Sequence, residues 1–325
     1  MNRRDFIGSV SFVGLGTLLP ACAVRMKTRT HSTVLLPPDR IGIQLFTLPK
    51  LLETDFAGTM KLLASKGYKE IEFFGPYPFS APEAQERWKS VTPSLGFSGS
   101  GYFGLKVEEV KKILDDNGLS SPSMHTDIVT LRNNLGQLAD AAHILGQTYA
   151  IIPSAPTRST LDEYKKDADE YNEIGAKAKS LGIRFGYHNH GNGLKPLEGE
   201  IPFDLTLKRT DPNLVFFEMD IFWTTAGGAD PVAYLDNHPG RFRLMHIKDM
   251  SKDVRFPGDG GDPQQWISLF PYLTDPGSGV LDLKKILTHA KKSGMEHFLL
   301  ENDLTKNPNQ TLENSYKFLS SLETN

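Results

Sequence analysis

The chain has 325 residues, 39% of them hydrophobic and 23% charged, with 29 Gly, 21 Pro and a single Cys. That composition excludes a disordered tail, a collagen-like repeat and a disulfide-stapled mini-domain, and one cysteine cannot build a Cys-rich zinc site. A net charge of −3 leaves no basic footprint for nucleic acid.

Residues 1–22 read as an export address. Arg3 and Arg4 precede an apolar run, Phe6 to Ala21, that is interrupted by Gly and Ser and too short for a comfortable membrane span. Asn2-Arg3-Arg4-Asp5-Phe6-Ile7 resembles a twin-arginine export signal. Leu19-Pro20-Ala21-Cys22 resembles a lipobox, in which Cys22 would carry a lipid anchor; in the plainer reading Cys22 belongs to a discarded peptide. The expected location is periplasmic or membrane-anchored, in a bacterium. Loss of residues 1–21 would leave 34 basic and 38 acidic residues, which changes nothing about partners. Residues 23–39, with Thr, Ser and Pro-Pro, read as a linker, and 40–325 as one catalytic domain.

From Ile41 onward, short apolar runs alternate with helical patterns, as parallel βα units do. The runs are IGIQLF (41–46), YKEIEFFG (68–75), LSSPSMH (119–125), TYAIIPS (148–154), IRFGYHNH (183–190), LVFFEMD (214–220), RFRLMHIKD (241–249) and HFLLEND (297–303). Helical patterns between them stop at Gly67, Gly146 and Gly182, and an aromatic, Pro-rich excursion fills 76–106. Eight units in unbroken series predict a single (β/α)8 barrel; a doubly wound sheet is the alternative. No Gly-x-Gly-x-x-Gly follows the first run, so dinucleotide binding gains no support.

The polar residues at strand ends carry the chemistry, because barrel active sites form at the C-terminal ends of strands. His125, His188, His190, Asp220, His246 and Glu301 all stand there. Oxygen and nitrogen donors closing the sixth, seventh and eighth runs suit one divalent ion such as Zn²⁺, Mn²⁺, Co²⁺ or Mg²⁺. Plainer readings exist for each: His246 as a hydrogen-bonded core histidine, Asp220 as a helix cap, Glu301 as turn chemistry. Gln44 and Glu72 are polar within apolar runs, so each needs a buried partner or a ligand. Trp223, Phe222, Phe74 and Phe46 would stack on a sugar or simply pack the core.

These segments resemble the xylose-isomerase-like barrel enzymes, often named sugar phosphate isomerases/epimerases. GYHNH, FFEMDIFW, GRFRLMHIKDM, GSGVLD and FLLEND carry the resemblance, which runs from Ile41 to the last helix. It implies one divalent metal held by residues closing strands five to eight, commonly Glu, Asp, His and Glu. Asp220, His246 and Glu301 match the last three; His188 aligns with the first, where the usual glutamate is absent. His188 and His190 lie two apart and face the same side of a regular strand, so either could meet the ion. The epimerases of this family use two metal-bound glutamates on opposite faces of the substrate, and here only Glu301 remains of that pair.

A divalent ion on a carbonyl and its neighbouring hydroxyl acidifies the C–H between them and stabilises an enediolate. Glu301 would remove that proton, His188, His190 or His125 would return one elsewhere, and Lys248 would stabilise the enolate or else pair with Asp249 at the surface. The expected activity is isomerisation or epimerisation of an unphosphorylated sugar or keto-sugar. Alternatives are β-elimination or hydration of a keto-sugar, and sugar binding without turnover. Asp253, Asp259 and Asp262 after the seventh run would repel a phosphate dianion. The partner is therefore a small carbohydrate, with self-association left open. A relative that cleaves DNA at abasic sites needs more ligands and a basic groove, which this chain lacks.

Overall fold

The computed structural model describes residues 34–324; residues 1–22, expected to be an export signal, lie outside them with Cys22. Eight strands, β1 to β8, span Ile41–Gln44, Glu70–Phe74, Ser120–His125, Tyr149–Ile152, Arg184–Asn189, Val215–Asp220, Phe242–Ile247 and His297–Leu300. Each pairs in parallel with the next, and β8 pairs with β1. The sheet is a closed barrel, which settles the choice against a doubly wound sheet. Among the described residues no helix is long and apolar enough to cross a membrane.

Local sequence explains the boundaries. The helix Leu161–Ser180 begins at a capping box in which Thr160 accepts from the Glu163 amide and Glu163 reaches back. The helices before β2 and β4 end at Gly67 and Gly146, whose φ of 105° and 74° a side chain would resist. The barrel starts earlier than the composition suggested. Val34, Leu35 and Leu36, expected to be linker, belong to it: Leu35 N donates to Leu322 O at 2.7 Å, and both leucines are buried. Two consecutive leucines have more to gain from packing than a solvated linker offers.

Two segments hold more structure than their composition indicates. The 76–106 excursion contains the helix Pro82–Leu95. After β7, a two-stranded hairpin (Asp249–Met250 with Leu273–Thr274) and the helix Pro263–Leu269 form a cover beside the mouth, the end of the barrel at which the strands finish. The inside of the opposite end is plugged by Tyr149, Ile151, Phe216, Leu244 and Leu299.

Two register slips interrupt the barrel. Glu70 and Glu72 of β2 pair with Ser120 and Ser123 of β3, and Phe217 and Glu218 of β6 pair with Phe242 and Leu244 of β7. In both cases the partner strand carries one residue more. Slips of this kind re-aim side chains.

Candidate active site

The strand ends deliver a buried cluster of carboxylates, histidines and one lysine. Glu72, Glu218, Asp220, Glu301 and Asp303 have side chains at most 7% exposed. The single fixed cation among them is Lys248, at 1%. Its Nζ lies 2.6 Å from Asp303, 2.8 Å from Glu301 and 3.1 Å from Asp220. It does not pair with Asp249, which instead accepts from the amides of Gly277, Gly279 and Leu281 and ties down the GSGVLD turn.

Deeper in the barrel, Glu72 and Glu218 hold the imidazoles. Glu72 accepts from Gln44 Nε2 at 2.7 Å and Ser123 Oγ at 2.6 Å, and lies 2.6 Å from His246 Nε2. Gln44 and Glu72 thus satisfy each other. Glu218 lies 2.6 Å from His125 Nε2 and 2.9 Å from His188 Nδ1. These contacts orient the rings. His188 donates from Nδ1 to Glu218, which leaves its Nε2 free, whereas His246 faces a carboxylate at each nitrogen, Glu72 at Nε2 and Glu301 at Nδ1.

The nitrogens turned away from Glu72 and Glu218 converge. His246 Nδ1 lies 2.7 Å from Glu301 Oε2 and 3.9 Å from Asp220 Oδ2, and His188 Nε2 lies 3.8 Å from the same Asp220 oxygen. Asp220 is also the helix cap that its sequence context suggested: Oδ1 accepts from Trp223 N at 2.9 Å. Oδ2 is buried and faces Lys248 Nζ at 3.1 Å, and His246 Nδ1 is buried against Glu301. Donor atoms of Asp220, His246 and Glu301 lie within 4.8 Å of one another. Donors of His125, His188, Glu218 and His246 meet the same limit.

The electrostatics call for positive charge. Burial disfavours protonated His246, yet Glu218, Glu301 and Glu72 outweigh it and hold its pKa well above the usual imidazole value. Burial likewise opposes charge on His125, and Glu72 and Glu218 reverse the balance. His188 goes the other way: burial lowers its pKa, so it stays neutral with a lone pair to offer. Burial, with Glu301 beside it, pushes the Asp303 carboxyl up to about 6, against the pull of Lys248. The convergent donor atoms of Asp220, His246 and Glu301, inside an acidic, dry cluster, fit a divalent cation.

His190 stands apart from this group. Its ring lies between Trp223 and Trp266, with centroids 4.7 and 4.3 Å away, and its Nδ1 is buried without a partner. The structure therefore brings His188, and not His190, beside Asp220. Trp223 does not offer a stacking face: it is fully buried, with His190 over one part of the indole and Phe256 stacked at 5.6 Å. What remains is its Nε1–H, which has no partner. Phe222 is buried too, and Phe46 and Phe74 pack edge to face at 5.2 Å. The turn after β5 is tight against the cover: Gly191 has φ 88°, and a Cβ there would meet Trp223 O at 2.6 Å.

Sequence reading missed Glu218, Ser123 and Asp303. Glu218 carried the signal that exposed Glu72, a charge inside an apolar run, but Asp220 two residues later drew the attention. Asp303 looked like turn chemistry in Glu-Asn-Asp.

Comparison with known proteins bears on the family. The model of the xylose isomerase-like TIM barrel matches residues 60–322. The chain belongs to that family. An inosose dehydratase from Clostridium tetani is 29% identical over 144 residues, 43% of this chain and 47% of that protein, so the match spans about half of the relative's length. A sugar phosphate isomerase/epimerase from Parabacteroides distasonis superposes with a TM-score of 0.67 at 24% identity, covering 93% of this chain and 99% of the other. The IolI protein, solved with a bound zinc atom, superposes at 0.59 with 14% identity over 86% of this chain and 95% of its own.

Proposed function

We propose that the chain is a metal-dependent enzyme that removes a proton next to the carbonyl of an unphosphorylated keto-sugar and then expels water, a dehydratase-type lyase. The observation that carries this reading is the asymmetry of the cage: a carboxylate, Glu301, on one strand and an imidazole, His188, where a symmetric two-base epimerase needs a second carboxylate. Elimination uses one base and one distinct acid, so it tolerates that asymmetry. The inosose dehydratase relative supports the same choice, since an inosose is a ring polyol bearing a ketone.

His188 Nε2, Asp220 Oδ2, His246 Nδ1 and Glu301 Oε2 would hold the ion; the zinc of the IolI protein supports a metal in this fold. Bound there, a divalent cation supplies Lewis acidity to the carbonyl and its neighbouring hydroxyl. Glu301 takes the proton from the adjacent carbon. With Asp220 and Glu301 engaged as ligands, Lys248 keeps its bond to Asp303 and has a donor left for the oxygen on which charge develops. His125, whose pKa burial lowers but Glu72 and Glu218 raise on balance, supplies the proton that the departing hydroxyl requires. The acidic mouth repels phosphate, which favours a neutral sugar. Carbohydrate is the partner in this reading, and a lipid-anchored, exported location remains part of it through the N-terminal signal.

Incubation of the zinc- or manganese-loaded protein with an inosose and with 3-keto-glucosides in deuterated water tests the proposal. The expected result is α-deuteration of the ketone together with an unsaturated product lacking one water. Deuteration with only an aldose, a ketose or an epimer formed would replace the lyase by the isomerase reading. No exchange at all would overturn both.

A further inference from the structure

The far end of the barrel holds a cavity of about 340 Å³, bounded by Lys179, Arg184, Asn213, Phe216, Arg243 and Glu296. It has no part in the chemistry above and stands at the opposite ends of the same strands. Three of these side chains are cationic and one is anionic. Glu296 is already shared: one oxygen accepts from Tyr149 OH at 2.7 Å and lies 3.7 Å from Arg184, and the other lies 3.1 Å from Arg243. Lys179 forms no ion pair among the described residues. The cavity thus keeps two net positive charges on a chain whose overall charge is −3.

Both guanidinium groups are pre-positioned. Arg184 lies 5.2 Å and Arg243 6.0 Å from the centre of the Phe216 ring, and Arg184 also donates to Tyr149 OH at 2.7 Å. Stacking on an aromatic face leaves the donors at the edge of a guanidinium available to oxygen ligands. Arg243 Nε–H is buried with no hydrogen-bond partner, a donor whose desolvation goes uncompensated. Asn213 on the rim adds a neutral polar side chain.

We propose that this cavity binds a small oxyanion of the phosphate type, whose two negative charges match the two uncompensated cations. The cavity is large enough for a phosphate with a short polar substituent. The molecule thereby separates its charge preferences: an anion is refused at the mouth and accepted at the base.

Calorimetric titration of the full chain with inorganic phosphate, at ionic strength held constant with chloride, tests this. Saturable binding with a dissociation constant of about 1 mM or tighter is expected. Lys179→Gln and Arg184→Gln, both at exposed positions, should each weaken it about tenfold or more, as loss of a charge-assisted hydrogen bond does. Glu296→Gln should tighten it, because it removes the competing carboxylate. Absence of binding heat beyond that of chloride, or equal affinity in the wild type and the lysine and arginine variants, would overturn the proposal.

Discussion

The two ends of this barrel use similar residue types under opposite physical conditions. At the mouth, five carboxylates, three histidines and a lysine are withdrawn from water, and Lys248 is 1% exposed. At the base, the Arg184, Arg243 and Glu296 side chains are 45%, 28% and 36% exposed. Charges at the base are largely screened and solvated, so each contributes little to folding stability. Charges at the mouth have no solvent to fall back on, so each depends on its neighbours being present. The buried cluster differs from the base by that dependence more than by the number of charges.

The contrast can be broken experimentally. Glu301→Gln should reduce turnover of the proposed keto-sugar substrate by about a thousandfold, the scale of losing a general base, with circular dichroism unchanged. Lys248→Met should leave Asp220, Glu301 and Asp303 without their shared cation and cost about 3 kcal/mol or more in urea unfolding of metal-free protein. Glu218→Gln should weaken metal binding about 10- to 100-fold in a competition titration, because His188 loses the charged acceptor that turns its Nε2 toward Asp220. Arg243→Gln at the base should change unfolding free energy by about 1 kcal/mol or less. If the Lys248 and Arg243 variants were equally destabilised, the distinction between the two ends would fail.

The fold was legible in the sequence to the level of all eight strands, because parallel barrel strands are buried on both sides and read as apolar runs. The polar residues at the strand ends were legible for the same reason: Asp220 and His246 interrupt those runs at their ends. The orientation of the rings was not. Which nitrogen of His188 faces Asp220 depends on Glu218, a residue on the neighbouring strand, and no period within β5 encodes it. The placement of Lys248 was hidden likewise, since its three partners come from β6 and from the chain after β8. The opposite error came from Trp223, whose faces are covered by His190 and by Phe256, the latter 33 residues further along the chain.

The register slips in β2–β3 and β6–β7 have a consequence of their own. They fall where Glu72 and Glu218 enter the ladder, and those two carboxylates orient His246 and His188. In a sheet, a shift of one residue exchanges the inner and outer faces. Deleting the surplus residue of β3 or β7 would therefore retain every acid and every histidine in the chain and still dismantle the cage. The chemistry of this barrel is specified by a count of residues along two strands as well as by the identity of the side chains they carry.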